Sequence, residues 1–245
     1  MTVSSDQRPC SVTPPVEDRA PAAVRRLQRL VESGAPGLLE WDRPGPSAAF
    51  GRLDQLQPGF AAAVARVTDA GFTPFVRPVG GRLAAYHDGA VVLDLLLRDP
   101  DPPSGTTARF RALAQLIQIG LTRLGVDARV GRVIGEYCPG DWSVNAGGTR
   151  KLVGTGQRLT REAVLLTAVI VVVDAAPLRD VMAGAYADLG LDLDPGTVGS
   201  VADVVPGVMV DDVVEVLAAT LADHLQLAEP QLAGGRALLA PWTPR

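Results

Sequence analysis

Two runs in this chain carry almost no polar side chains. Ala90 to Leu97 reads A-V-V-L-D-L-L-L, and Ala163 to Val173 is interrupted only by Thr167. Runs this short and this rich in Val, Leu and Ile are strands rather than helices, and a strand without polar alternation has both faces covered. They therefore predict the central strands of a sheet with helices packed on it. The same runs are too short to span a bilayer, which needs about 20 apolar residues.

Around them the apolar spacing changes to three and four residues. Val24, Leu27, Leu30 and Val31 predict a helix that stops at Gly34, and Phe60 to Ala70 an alanine-rich helix ending before Gly71. Phe110, Leu113, Ala114, Ile117, Leu121 and Leu124 form the buried face of a third, closed by Gly125. Pro177 opens a fourth carrying Leu178, Val181, Met182, Ala185 and Leu189. Val210, Val213, Val214, Leu217, Leu221 and Leu225 mark a fifth, with Asp211 and Asp212 placed well for the dipole at its start. Shorter strands are expected at 38–41, 47–52, 83–86, 127–134, 142–146 and 151–157. The expected fold class is α+β, a mixed, largely antiparallel sheet flanked by helices, in a single domain over residues 22–228. Residues 1–21, with four prolines among polar side chains, are expected to be disordered, and 229–245 to be loosely held.

Composition removes several classes of function. A net charge of −4 and a pI near 5.2 argue against a general nucleic-acid or anionic-membrane binder. Two cysteines, one of them Cys10 in the N-terminal stretch, do not make a disulfide framework, and with only His87 and His224 to help there is no metal-ligand spacing. Met1 is followed by T-V-S-S-D-Q-R-P rather than an apolar signal core, so a reduced, cytoplasmic protein is expected.

The chemistry is expected between Gly135 and Arg158. Lys+Arg total 23, yet Lys151 is the one lysine, and an ammonium differs from a guanidinium in size, hydration and ability to lose a proton. Cys138 lies thirteen residues before it, flanked by Glu136 and Asp141, carboxylates that would raise a thiol's pKa unless turned to solvent. Gly147-Gly148 makes 142–146 and 151–157 a natural hairpin. Cys138 then cannot face Lys151 by strand register, so C-P-G-D must fold back to reach it. Alternation along 151–157 puts Leu152, Gly154 and Gly156 on one face, where two glycines leave room for something flat or long. Upstream, Arg77 and Arg82 flank Gly80-Gly81, a step whose amides can turn toward a carboxylate or phosphate, or which is a plain turn. His87 sits at the H-D-G turn, either as a catalytic group or as a capping residue.

The segments P-V-G-G-R-L-A-A-Y-H-D-G-A-V-V-L-D-L at 78–95 and R-K-L-V-G-T-G-Q-R at 150–158 resemble the two signature segments of the lipoate–protein ligase and octanoyltransferase superfamily, whose fold is shared with biotin–protein ligases. The likeness covers about residues 38–225 and implies a biotin/lipoyl protein ligase-like catalytic domain. It implies that the loop from Arg77 through Gly80, Gly81, Arg82, Tyr86 and His87 cradles an acyl group or acyl-adenylate. It also implies that Lys151 points at the acyl carbonyl, with Gly154 and Gln157 on the same segment contributing to substrate binding. Pro78 and Val79 depart from the ligase form of the loop, as does Arg82, in a direction closer to the transferases.

Cys138 occupies a position similar to the acyl-accepting cysteine of the monodomain octanoyltransferases and amidotransferases. The implied reaction is transfer of an octanoyl or lipoyl group through a Cys138 thioester to the target lysine of a lipoyl domain, of a 2-oxoacid dehydrogenase or a glycine cleavage protein. Acyl carrier protein is the implied donor, with no cofactor. The chain is also expected to leave no room after the last helix for the accessory domain of many ATP-dependent ligases. Two alternatives remain open: an ATP- and Mg-dependent lipoate ligase using Lys151 and the Gly80-Gly81 loop, and a non-catalytic protein that binds lipoyl domains or a small acid.

Overall fold

The computed structural model describes residues 16–225 and 236–239, so Cys10 lies outside the described residues. In chain order the elements begin with β1 (Glu17–Asp18), α1 (Ala20–Ser33), β2 (Gly37–Asp42), β3 (Ser47–Phe50), α2 (Phe60–Asp69), β4 (Thr73–Val76), β5 (Ala84–Tyr86) and β6 (Ala90–Arg98). They continue with α3 (Thr106–Arg123), β7 (Ala128–Val130), β8 (Val144–Ala146), β9 (Arg150–Leu159), β10 (Ala163–Val171), α4 (Ala176–Asp188), α5 (Val210–Leu225) and β11 (Arg236–Leu239). Pro21 falls in the first turn of α1, where a missing N–H costs nothing, and Gly34 ends that helix in the left-handed conformation at φ 73°.

The strands form two sheets rather than one. Seven of them run β11-β2-β6-β10-β9-β8-β7, every neighbouring pair antiparallel, and four form β1-β4-β3-β5, where β4 is parallel to both its neighbours. The turns at 43–46 and 87–89 are therefore crossings from one sheet to the other. β6 and β10 lie side by side at the centre of the larger sheet, as their apolar runs require. On one face Leu93, Leu95, Leu166 and Ile170 pack under α3 and α5; on the other, Leu96 and Leu165 pack against α1, and Val92 and Val169 border the smaller sheet. The smaller sheet is backed in turn by α2 and α4.

Both ends of the described chain depart from expectation. From Val16 onward the N-terminal stretch is engaged: Glu17-Asp18 pairs with Phe75-Val76, and α1 starts at Ala20, two residues before the expected domain boundary at 22. Arg236–Leu239 adds an antiparallel edge strand to β2. Both pairings are too short to show in the sequence, because an edge pairing is made by backbone groups and leaves little periodicity in the side chains.

One irregularity in β9 decides what the site looks like. Val144 pairs with Val153, but the next residue of β8, Asn145, pairs with Lys151, so Leu152 is an extra residue on β9. Across such a bulge two successive side chains share a face. Leu152 and Val153 are both fully buried in the core under α3 and α5. Alternation resumes on either side, which turns Lys151 to the same face as Gly154. The expected face of Leu152, Gly154 and Gly156 is thus corrected: the two glycines share it with Lys151, and Leu152 points away.

Candidate active site

The open face of β9, β10 and β6 is the floor of a cavity of about 230 Å³ between the two sheets. Register aligns Gly154 with Val169 and Val92, and Gly156 with Thr167 and Asp94. Ala49, Phe75, Ala84 and Tyr86 of the smaller sheet form the opposite wall, and Arg19, Asp42 and Pro44 lie at one end. Along the floor Thr167 Oγ1 donates to Asp94 at 2.6 Å, and Asp94 also accepts from Arg26 of α1 at 2.7 Å. Arg26 is further paired with Glu40, which stands opposite Asp94 on β2. That cation is what allows two carboxylates to face each other across strands.

At the other end stands Cys138. It lines this cavity and also a second one, of about 440 Å³, that runs past Gly80, Phe110, Trp142 and Gln157 on the far side of the 77–82 loop. The sulfur is thus placed where two spaces meet. Cys138 has φ 42°, a left-handed conformation that side chains with a Cβ disfavour. It is held from three directions. Its N–H donates to Tyr186 Oη at 2.7 Å, and that hydroxyl donates on to Leu83 O at 2.7 Å. Its carbonyl accepts from Lys151 Nζ at 2.9 Å. Its Sγ accepts from Arg77 Nη2 at 3.1 Å and from the Arg82 N–H at 3.2 Å.

Burial alone would push the Cys138 thiol's pKa up. The Arg77 guanidinium, the Lys151 ammonium and the Arg82 N–H together outweigh burial and bring it below the ordinary value. The carboxylates expected to oppose this are accounted for. Asp141 is exposed, and Glu136 is turned inward onto Lys151, with Nζ–Oε2 at 3.2 Å, while also accepting from Gly140 N–H and Ser143 Oγ. Lys151 is 1% exposed, and its pKa is lowered by burial, with Glu136 opposing.

The 77–82 loop reaches the sulfur only because two positions are glycine. A Cβ on Gly81, which has φ 111°, would lie 1.6 Å from Arg77 Nη2 and 2.7 Å from Cys138 Sγ. A Cβ on Gly156 would lie 2.6 Å from Val79 Cγ2, so β9 needs glycine there for the loop to settle on it. Arg158 Nη1 donates to Pro78 O at 2.7 Å and Gly80 N–H to Gln157 O at 3.4 Å, fastening the loop to the same strand.

The structure therefore brings together Arg77, Gly80, Gly81, Cys138, Lys151, Gly154 and Gln157, with Tyr86 on the cavity wall. Arg82 takes part through its N–H, since its guanidinium is spent on the fully buried Asp54. His87 stays outside both cavities: Nδ1 accepts from Gly89 N–H and Nε2 meets Asp174 O, each at 2.8 Å, so the ring braces the crossing between sheets. Gln157 is engaged by the buried Arg109, whose Nε donates to it at 2.7 Å. Sequence reasoning missed Tyr186, Asp54 and the Arg26–Asp94–Thr167 group. Tyr186 carries no sequence signal of its role, because it falls on the apolar face of α4 and reads as core.

A cavity between two sheets, ending at a half-buried thiol of lowered pKa, is the defining geometry of this site. The chain belongs to the family of the lipoyl protein ligase A/B catalytic domain, whose model matches residues 25–222. It is similar to octanoyl-GcvH:protein N-octanoyltransferase of Geobacillus kaustophilus, with 25% identity over 163 residues, 66% of this chain and 57% of that one. A second protein of that name, from Exiguobacterium, is 30% identical over 46% of this chain and 39% of its own length. The chain thus spans about half the length of the curated relatives it matches. Among solved structures, a lipoate protein ligase described from T. acidophilum with bound lipoic acid superposes with a TM-score of 0.63 at 19% identity, covering 82% of this chain and 78% of that one. That likeness concerns the fold.

Proposed function

We propose that this protein is an acyltransferase that moves an octanoyl or lipoyl group onto the target lysine of a lipoyl domain through a Cys138 thioester. The observation that carries this reading is the place of Cys138 Sγ, at the meeting of two cavities and under the hydrogen bonds of Arg77 and the Arg82 N–H. In the first half-reaction the thiolate attacks the carbonyl carbon of a donor thioester. A C–S bond to Cys138 forms, the donor's C–S bond breaks, and the released thiolate takes a proton from solvent. In the second, the acceptor lysine's amine attacks the Cys138 thioester. The amide C–N bond forms, the C–S bond breaks, and the amine's proton leaves with Cys138 thiolate restored.

Both halves balance without ATP or a metal ion. The 230 Å³ cavity suits the acyl chain, with Gly154 and Gly156 giving it room, and the second cavity suits the arm that brings donor or acceptor lysine. The names of the relatives favour a carrier protein of the glycine cleavage type as one exchange partner, and acyl carrier protein is the other donor to test.

Intact-protein mass spectrometry tests the reading. The protein is mixed with octanoyl acyl carrier protein or an octanoylated glycine cleavage carrier, in the absence of ATP. An octanoyl mass increase that vanishes in Cys138→Ser supports it. ATP-dependent modification of a lipoyl domain with no adduct on Cys138 overturns it in favour of the ligase alternative.

A further inference from the structure

Tyr186 and Tyr86 are both more than nine-tenths buried, yet their hydroxyls are in opposite conditions. Tyr186 Oη accepts from Cys138 N–H and donates to Leu83 O. Tyr86 Oη has no hydrogen-bond partner among the described residues. A buried hydroxyl without a protein partner is costly, and it is found where something else completes it. Its surroundings say which way it faces. The ring stands edge-on to Phe75 and packs with Val92 and Val169 of the floor. The four charged groups whose fields act on the hydroxyl, Arg19, Arg77, Asp42 and Asp94, all line the 230 Å³ cavity. The hydroxyl therefore addresses that cavity, and burial, which pushes its pKa up, keeps it a neutral donor and acceptor.

The floor on that side is polar as well. Thr167 and Asp94 stand in the row that begins at Gly156, hydrogen-bonded to each other at 2.6 Å. Two strand spacings, about 9.5 Å, separate Gly156 on β9 from Asp94 on β6, comparable to the reach of an extended eight-carbon chain. A carboxylate has about four lone-pair sites, so Asp94 can accept again after Thr167 and Arg26 are served. A hydrocarbon chain filling this space would strip water from Tyr86 Oη and Asp94 and return nothing, at a loss of about tenfold in affinity. Charge narrows what could return it. Arg26 is paired with Asp94 and Glu40, and Arg19 with Glu17, so a carboxylate at the end of the chain would enter without a cation of its own.

We infer that the cavity selects a medium-length acyl chain carrying a neutral hydrogen-bonding group near its far end, read by Tyr86 Oη together with the Thr167–Asp94 pair, over a plain hydrocarbon chain. This deepens the Cys138 transfer reading and rests on it for the chain being an acyl group; the preference of the cavity for a polar tail does not.

Competition between donors tests it. The ω-hydroxyoctanoyl, lipoyl and octanoyl thioesters of one carrier protein are mixed in equal amounts with the native protein, and the adducts on Cys138 are counted by intact mass. One of the two chains with a heteroatom near its end is expected to exceed octanoyl about tenfold, the hydroxyl chain if the group is an oxygen function and the lipoyl chain if it is sulfur. Tyr86→Phe keeps the ring and removes only Oη, so it should bring that ratio close to one. Octanoyl equal to or ahead of both chains, or a preference that survives in Tyr86→Phe, overturns the inference. If none of the donors acylates Cys138, the transfer reading falls by itself, and calorimetry with the free acids still decides the cavity. Tighter binding of ω-hydroxyoctanoate or lipoate than of octanoate, lost in Tyr86→Phe, supports the polar tail; equal, weaker or absent binding refutes it.

Discussion

The two faces of β9 and β10 are made by the same residues of chain and built to opposite ends. Toward α3 and α5, Leu152, Val153, Val164, Leu166 and Ile170 are all essentially inaccessible, a packed interior in which each side chain is in contact on every side. Toward the cavity, the corresponding positions are Gly154, Gly156, Thr167 and Val169, small or short, with space left above them. The difference teaches how a strand can be central to stability and to chemistry at once. One face supplies the free energy of folding, and the other spends none of it on filling the site. The bulge at Leu152 is the hinge of this division, since it delivers Lys151 to the open face while keeping Leu152 in the packed one.

The contrast can be broken most severely from the packed side. Leu166→Ala is expected to cost about 2–5 kcal/mol of unfolding free energy, read from urea denaturation, with Cys138 in the molecules that remain folded alkylated at the native rate. A loss of reactivity in the folded fraction would mean that the two faces are not independent.

On the open side the largest effect is expected at Gly156. Gly156→Ala forces Val79 and Gly80 off the strand, at about 1–3 kcal/mol, and carries Arg77 away from the sulfur. Iodoacetamide alkylation at neutral pH should slow accordingly. An unchanged alkylation rate would show that the loop reaches Cys138 without resting on β9.

Val169→Phe sharpens the comparison. Filling space that is empty should change stability by less than about 1.5 kcal/mol, while shifting S-acylation from octanoyl toward butanoyl donors. If octanoyl remains preferred, the acyl chain does not lie over this row of the floor. The mildest observation alters no residue: the pH profile of Cys138 alkylation should inflect below the ordinary thiol value of about 8.5, with reactivity present above the inflection and lost as pH falls through it. An inflection at or above the ordinary value would mean that burial outweighs the cations around the sulfur.

Much of this was legible from residue order. The two apolar runs became β6 and β10, all five helices lie where their spacing puts them, and Lys151, Cys138 and the Gly80-Gly81 loop meet in one place. Residue types sufficed there because burial on one face or two leaves a direct mark in the apolar period. His87 was a candidate by its type and by its place in the loop that resembles the family's first signature segment, and the structure engages both its nitrogens with backbone.

What the chain order determined by itself is the set of strands and helices and the short inventory of reactive side chains. The tertiary structure alone decided which of them touch and in what state. Arg77 and Cys138 are 61 residues apart, and Tyr186 braces Cys138 from 48 residues away. Lys151 faces the cavity through a bulge that has no signature in side-chain type, and Glu136 serves that lysine rather than opposing the thiol. The physical reason is one of range: apolar periodicity records how each segment meets the core, whereas a thiol's ionisation and a lysine's free protons depend on partners a few ångströms away in space.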